Sequence, residues 1–472
     1  MIAVPGFEGR AVAVVGLGRS GLPAAEALRA GGARVRVWDD GEAARQAAAG
    51  AGFEVTDLTG TEWSDLAALV LSPGVPLTHP APHWSVARAR DAGVEIIGDL
   101  ELFARAMAAL PQHARPRVIA ITGTNGKSTT TALIGWLLRS AGLSVHVGGN
   151  IGIGVLSLPA PVAGSVYVLE ASSYQLDLTG SFAPDVAVLT NISPDHLERH
   201  GDMVGYVAAK QRLFRNLSGD QVAVFGVDDD WSAAMAETLR ERGGRVESVS
   251  VHGRPADVTR SDQWLFDAGE PLFDLASAPA LFGAHNAQNA GLAWLAVRAL
   301  GLGDASIAAG LRSFPGLAHR MEEVGRLGGV RFINDSKATN ADAARQALQS
   351  FARVHWIGGG RAKSDGAVPL LDLTGRMAHA YLIGEAAASF ADVLGARVGV
   401  TLSGTLEQAV RDAFEGAVSD AEGRAGEDAV VLFSPACASF DQYPDFEVRG
   451  EAFRAHVAAL GARMSTGGSA SR

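Results

Sequence analysis

The chain has 472 residues, 47% hydrophobic and 19% charged, with a formal net charge of −11. That length supports about three cored domains of ~150 residues each and excludes a disordered or fibrous chain. The acidic balance argues against a nucleic-acid backbone as a main partner, and no apolar run reaches the ~18 residues of a membrane helix.

The N-terminal segment MIAVPGFEGR lacks a charged region followed by an apolar one, so no secretory signal is expected. The one cysteine, Cys437, cannot form an internal disulfide. It points to the reducing cytoplasm.

In chain order, RAVAVVGLG reads as a strand entering a turn, PAAEALRAGG as a helix ending in glycines, and RVRVWDD as a second strand. This is the alternation of a parallel α/β sheet. Gly16-Leu17-Gly18-Arg19-Ser20-Gly21 opens the helix, and Asp39 ends the next strand at the spacing of a ribose-binding acid. Taken alone, the pattern predicts a dinucleotide site. LPQHARPR (110–117) reads as a linker.

The next strand, RVIAITG, runs into Gly123-Thr124-Asn125-Gly126-Lys127-Ser128-Thr129 and then the helix TTALIGWLLRS. A turn between strand and helix presents backbone N–H groups to phosphate. Lys127 would reach the β- and γ-phosphates and Ser128 a Mg²⁺ ion. The spacing is G-x-x-G-K-S, shorter than the usual phosphate loop.

Val166–Glu170 reads as an apolar strand ending in a carboxylate, suited to Mg²⁺. A further strand leads to Asn191, Asp195 and His196. His196 is read either as structural or as a metal ligand. Lys210, in the helical stretch YVAAKQRLF, is read either as a surface lysine or as a carbamate carrier, a role arginine cannot take.

A third α/β block begins after Ser313-Phe314-Pro315-Gly316, with strands in RVHWIGG, AYLIG and AVVLFSP. Cys437 follows the last of these and reads as a small buried thiol. The tail from about 464 is expected to be disordered. Of 40 basic residues only four are lysines: Lys127, Lys210, Lys337 and Lys363. Each lies among glycine, small or polar residues, and each is a site candidate.

Together the motifs resemble the Mur ligase family, in its D-glutamate-adding branch. The resemblance rests on GTNGKST (123–129), GGNIG (148–152), EASSYQL (170–176), NISPDHL (191–197), AAKQRLF (208–214), GAHNAQN (283–289), GLAHRME (316–322), NDSKATN (334–340) and SPACASFDQYPDFEVRG (434–450). It implies three α/β domains: 1–110, Rossmann-like, for the UDP end of the substrate; 111–315, of phosphate-loop ATPase type with a parallel sheet; and 316–472, Rossmann-like, for the amino acid.

The implied reaction is ATP-dependent ligation of D-glutamate to UDP-N-acetylmuramoyl-L-alanine through an acyl phosphate, in peptidoglycan precursor synthesis. A monomer without nucleic-acid or membrane partners is expected. The resemblance implies that residues 123–129, Asn286, Asn289, Arg320, Asp335 and Lys337 contact ATP, with domain closure bringing Arg320 to the phosphates. Ser128 and Glu170 would hold one Mg²⁺, and His196 with carbamylated Lys210 a second. Gly18, Arg19, Ser20, Asp39, Ser72, Pro73, Gly74, Asn150 and Ser172 would contact the UDP substrate. Thr339, Lys363, Ser439 and Phe446 would bind D-glutamate. Lys363 sits in GGGRAKSDG, which departs from the family pattern by an apparent one-residue shift and lacks the acid before the lysine.

Three alternatives stay open. One is another amino-acid-adding or folylpolyglutamate-type ligase, although no D-N-P-R motif of the diaminopimelate-adding kind is present. The second is an NAD-dependent dehydrogenase, from the Gly16–Gly21 motif. The third is a regulatory NTPase.

Overall fold

The computed structural model describes residues 1–363, 366–422 and 429–467. It contains three sheets, distributed over two compact units. The first unit comprises Met1–Pro279 and Asn286–Phe314, the second Ala280–His285 and Pro315 onward. The short segment Ala280–His285 joins the second unit, where Phe282 packs on Phe351 with ring centroids 5.5 Å apart.

The first sheet is wholly parallel, in the spatial order Glu54–Val55, Arg34–Trp38, Ala11–Val15, Leu66–Leu71, Ile96–Ile97. Ala11–Val15 is buried throughout, as a β-branched run at the centre of a parallel sheet must be. Chain order reverses between Ala11–Val15 and Leu66–Leu71. Their C-terminal ends therefore splay into a crevice.

The second sheet has nine strands. Six run parallel in the order Arg245–Ser250, Val222–Gly226, Val186–Leu189, Arg117–Thr122, Val166–Glu170, Val145–Gly149. Val258–Ser261 continues this direction, and Trp264–Asp267 and Glu270–Asp274 close the edge as an antiparallel meander. The strand before the phosphate loop lies between the strand ending at Glu170 and the strand leading to His196. The three motifs meet because adjacent parallel strands end on the same side.

The third sheet runs Glu322–Leu327, Val330–Asn334, Ala429–Phe433, Val354–Gly359, Met377–Ile383, Val400–Gly404, with only Glu322–Leu327 antiparallel. The segments NDSKATN, SPACASF and GGGRAK follow three neighbouring strands of this sheet.

The stretch 110–117 contains a 3₁₀ turn, Gln112–Ala114, and its last residue begins the strand Arg117–Thr122. One expectation needs correction. The C-terminal helix extends to Gly467, past the expected onset of disorder, because each residue added to a formed helix adds a hydrogen bond. Residues 468–472 lie outside the described residues. Among the described residues no helix is long and apolar enough to cross a membrane.

Candidate active site

The phosphate loop folds as its glycines require. Gly123 has φ +145° and Gly126 φ +82°. A Cβ at 123 would lie 1.9 Å from Thr190 Oγ1, and one at 126 would lie 2.5 Å from Asn289 Oδ1. Helix Lys127–Ser140 begins directly after Gly126 with no acid in its first turn, so its N-terminal N–H groups favour an anion.

Lys127 Nζ donates to Gly123 O at 3.0 Å and Thr124 O at 2.8 Å. The NISPDHL segment braces the loop: Asn125 N donates to Asn191 Oδ1 at 2.9 Å, and Thr124 N to Asn191 O at 2.8 Å. Asn289 Oδ1 accepts from Thr130 Oγ1 at 3.1 Å, and Asn289 Nδ2 donates to Asn286 Oδ1 at 3.1 Å. Both expected ATP-contacting asparagines are thus built into the loop's surroundings.

Glu170 is 3% exposed, and its Oε1 accepts from Asn150 Nδ2 at 2.8 Å. His196 has φ 54°. Its Nδ1 lies 3.0 Å from the Tyr174 hydroxyl and its Nε2 3.4 Å from Asp195 Oδ2. Burial pushes the Tyr174 phenol up to about 12.

Lys210, on helix Met203–Gln211, is 1% exposed, which excludes the surface-lysine alternative. Its Nζ donates to Gly123 O at 2.6 Å and lies 4.6 Å from the Tyr206 ring centroid. Burial holds this amine well below its ordinary value, the Lys127 charge lowers it further, and Asp195 and Glu170 oppose the shift. A shift in that direction favours the neutral, nucleophilic amine.

The donor set suits Mg²⁺. Among the described residues no three His, Cys, Asp or Glu side chains form a metal cluster. Ser128 and Glu170 offer a hydroxyl and one carboxylate beside a phosphate loop, and Mg²⁺ takes few protein ligands alongside phosphate oxygens.

The crevice of the first sheet is a cavity of about 320 Å³ lined by the Gly16–Ser20 turn, Ser72–Val75, Gly149, Asn150 and Gln175. Ser72 Oγ donates to Gly16 O at 2.7 Å, and Arg19 Nη2 donates to Gly152 O at 2.9 Å. Asp39 Oδ2 accepts from Leu17 N at 2.7 Å, so this carboxylate braces the turn itself.

Ser172 caps helix Ser173–Leu176 in a reciprocal box with Gln175. Gln175 Nε2 donates in turn to buried Asp99 Oδ2 at 3.0 Å. Burial raises the Asp99 carboxyl, against hydrogen bonds from Gln175, Leu100 and Ser20 that lower it. Sequence reasoning missed Gln175 and Asp99. S-x-x-Q was a visible capping signal, whereas Asp99 resembles any acid in a helix's first turn.

The second unit gathers its own candidates. Burial raises Asp335 to about 7. Its Oδ1 accepts from Met321 N at 3.2 Å and its Oδ2 from Ser434 Oγ at 2.7 Å, and the Arg320 charge partly offsets the burial. Lys337 N donates to His319 O at 3.1 Å, which ties Lys337 to the loop carrying Arg320. Lys337 Nζ lies 3.9 Å from the Phe446 ring centroid. Thr339 N donates to Lys337 O at 2.8 Å.

Lys363 is exposed and Ser439 buried. Their segments are joined where Arg361 and Ala438 exchange backbone bonds of 2.9 and 3.0 Å. The Arg361 guanidinium is engaged by Glu385 at 3.0 and 3.1 Å. Cys437 is buried, and burial pushes its thiol up to about 12, as an inert core thiol. Sequence reasoning also missed Arg449. It is buried and donates to Ser336 Oγ, Ser336 O and Cys437 O at 3.0, 2.7 and 3.0 Å, so it ties NDSKATN to SPACASF.

Three family descriptions match in order: "Mur ligase MurD-like, N-terminal domain" over 10–98, "Mur ligase middle domain" over 121–297, and "Mur ligase, glutamate ligase domain" over 319–437. The UDP-N-acetylmuramoylalanine--D-glutamate ligase of Phenylobacterium zucineum is 56% identical over 466 residues, covering 98% of each chain. The like-named protein of Caulobacter vibrioides is 56% identical over 468 residues, again covering 98% of each. Among solved structures, UDP-N-acetylmuramate-alanine ligase from Thermotoga maritima superposes with a TM-score of 0.58 at 18% identity, covering 96% of this chain and 99% of that one. MurF from Acinetobacter baumannii gives 0.60 at 19% identity, covering 90% of each. These likenesses carry the fold, three α/β domains with largely parallel sheets, and the sequence matches carry the membership: the chain belongs to the Mur ligase family.

Proposed function

We propose that this protein is an ATP-dependent acid–amino-acid ligase that joins D-glutamate to UDP-N-acetylmuramoyl-L-alanine in peptidoglycan precursor synthesis. The observation that carries the reading is the convergence of the glycine loop, Lys127, Glu170 and buried Lys210 at the ends of three adjacent parallel strands. It is joined by near-full-length identity above 50% to proteins bearing that name.

A carboxylate is a poor electrophile and needs activation. The alanyl carboxylate oxygen attacks the γ-phosphorus of ATP, and the bond to the bridging oxygen breaks, leaving ADP and an acyl phosphate. The amine of D-glutamate then attacks the acyl carbon, phosphate departs with the former carboxylate oxygen, and the amine loses a proton. The loop N–H groups and Lys127 neutralise charge on the transferring phosphoryl group.

Mg²⁺ would supply further charge neutralisation, held by Ser128 and Glu170, with a second ion at His196 and carbamylated Lys210. The lowered, buried Lys210 amine supports the carbamate, since only a neutral amine adds CO₂. We assign the first-sheet crevice, with Gly18, Arg19, Ser20, Asp39, Ser72, Pro73 and Gly74, to the UDP end, and Asn150 and Ser172 to the reacting end. Asn286, Asn289, Arg320, Asp335 and Lys337 are assigned to ATP, and Thr339, Lys363, Ser439 and Phe446 to D-glutamate. Domain bounds of 1–110, 111–315 and 316–472, a monomer and a cytoplasmic location complete the reading.

Product analysis tests it. With ATP, Mg²⁺, the nucleotide acceptor and D-glutamate, mass spectrometry should show the acceptor gain one glutamyl residue. Hydroxylamine added without D-glutamate should trap a hydroxamate. ATP hydrolysis that ignores the acceptor would favour a regulatory NTPase instead.

A further inference from the structure

We propose that Asp99 is a positioning residue for the nucleotide acceptor: its buried carboxyl accepts from Gln175 Nε2, and so holds in place the Gln175 amide that lines the first-sheet crevice. The inference rests on the functional reading above, which places the UDP substrate in that crevice.

Asp99 is 3% exposed, in the first turn of helix Asp99–Ala108. The start of that helix is pinned: Gly98 N donates to Leu178 O at 3.0 Å, and a Cβ at 98 would lie 2.8 Å from Leu178 Cβ. The carboxyl therefore has little freedom to move away. Leu100 N donates to Oδ1 at 2.9 Å and Gln175 Nε2 to Oδ2 at 3.0 Å. Ser20 and Gln175 both line the crevice.

The orientation of Gln175 follows from donor counting. Ser172 N can only donate, so Gln175 Oε1, 3.1 Å away, must face it. Nε2 then points at position 99 and requires an acceptor there. Were the amide reversed, two donors would meet at Ser172 and the cap would be lost. A carboxyl at 99 accepts from every side. An amide would place its own donor against Gln175 or against Leu100 N.

The test compares wild type, Asp99→Asn and the double variant Asp99→Asn/Gln175→Glu. The double variant swaps donor and acceptor across the contact and keeps the Ser172 cap. Calorimetry gives the Kd for UDP-N-acetylmuramoyl-L-alanine, kinetics give kcat and the KM values for ATP and D-glutamate, and melting gives Tm. Asp99→Asn should weaken acceptor binding about tenfold, the worth of one lost buried hydrogen bond, with the KM values for ATP and D-glutamate unchanged and kcat largely kept. The double variant restores the donor–acceptor match and should bind the acceptor more tightly than Asp99→Asn.

Wild-type affinity in Asp99→Asn would overturn the proposal. So would parallel loss of every parameter and of Tm, or a double variant that binds no more tightly than Asp99→Asn. If Asp99→Asn does not fold, the double variant decides alone: a folded double variant that binds the acceptor supports the proposal, and one that does not fold, or folds without binding it, overturns it. A wild-type protein that does not bind the acceptor at all overturns the functional reading itself.

Discussion

Asn150 Nδ2 donates to Glu170 Oε1 at 2.8 Å, so a loop residue at the edge of the first-sheet crevice sets the direction of the carboxylate beside the phosphate loop. Hydrogen bonds to charged groups contribute about 1.5–3 kcal/mol. Asn150→Ala should therefore lower kcat/KM at least about tenfold and raise the Mg²⁺ concentration giving half-maximal rate. An unchanged Mg²⁺ dependence would separate Asn150 from the metal site.

Lys127 tests the phosphate cradle. Its amine is a compact donor shared between two loop carbonyls. Lys127→Ala should reduce acyl-phosphate formation, read by hydroxylamine trapping, by about a thousandfold. Lys127→Arg should not restore it, because the planar guanidinium does not reproduce a point charge on the loop. Normal trapping in either variant would contradict the assignment.

Lys210 tests the carbamate. Protein equilibrated with ¹³CO₂ should show a carbamate carbonyl signal that is missing from Lys210→Ala. Lys210→Arg keeps a cation but cannot form the adduct, and it places a larger charged group where the native side chain is 1% exposed. Activity should fall by at least about a hundredfold, with a lower Tm. No carbamate signal, together with near-normal activity of Lys210→Arg, would remove the role.

Asp335 makes stability depend on pH. Its carboxyl titrates at about 7 in the folded chain against an ordinary value of 3.8. Between these values the folded state binds more protons than the unfolded one, so stability falls as pH rises through the window. The cost is absent below about pH 4 and complete above about pH 7. Asp335→Asn retains an acceptor for Met321 N and gains a donor for Ser434 Oγ. It should be more stable than wild type at pH 8, by at most about 4 kcal/mol, with the gap closing toward pH 4. A gap independent of pH would show that the carboxyl is not held up by burial.

The phosphate loop was legible because strand, glycines, lysine and helix lie within one short stretch, and each has a local physical signature. Lys210 was legible only as an anomaly, a lysine among arginines. Its burial comes from contact with Gly123, 87 residues away, which no local pattern encodes. Asp99 and Arg449 were not legible for the same reason. An acid in a helix's first turn and an arginine on a helix are ordinary in sequence, and their partners lie 76 and 113 residues away. The antiparallel meander Val258–Asp274 was also unmarked. Its strands are short and half-exposed at a sheet edge, where apolar periodicity is weak.

The central claim is the identity of the amine that is joined. Phosphate release from ATP and Mg²⁺ with UDP-N-acetylmuramoyl-L-alanine, measured across a panel of amino acids, tests it most directly. The account predicts sustained release with D-glutamate alone. Sustained release with a different amino acid, and none with D-glutamate, would leave the fold and the phosphate chemistry standing but contradict the assignment of Thr339, Lys363, Ser439 and Phe446.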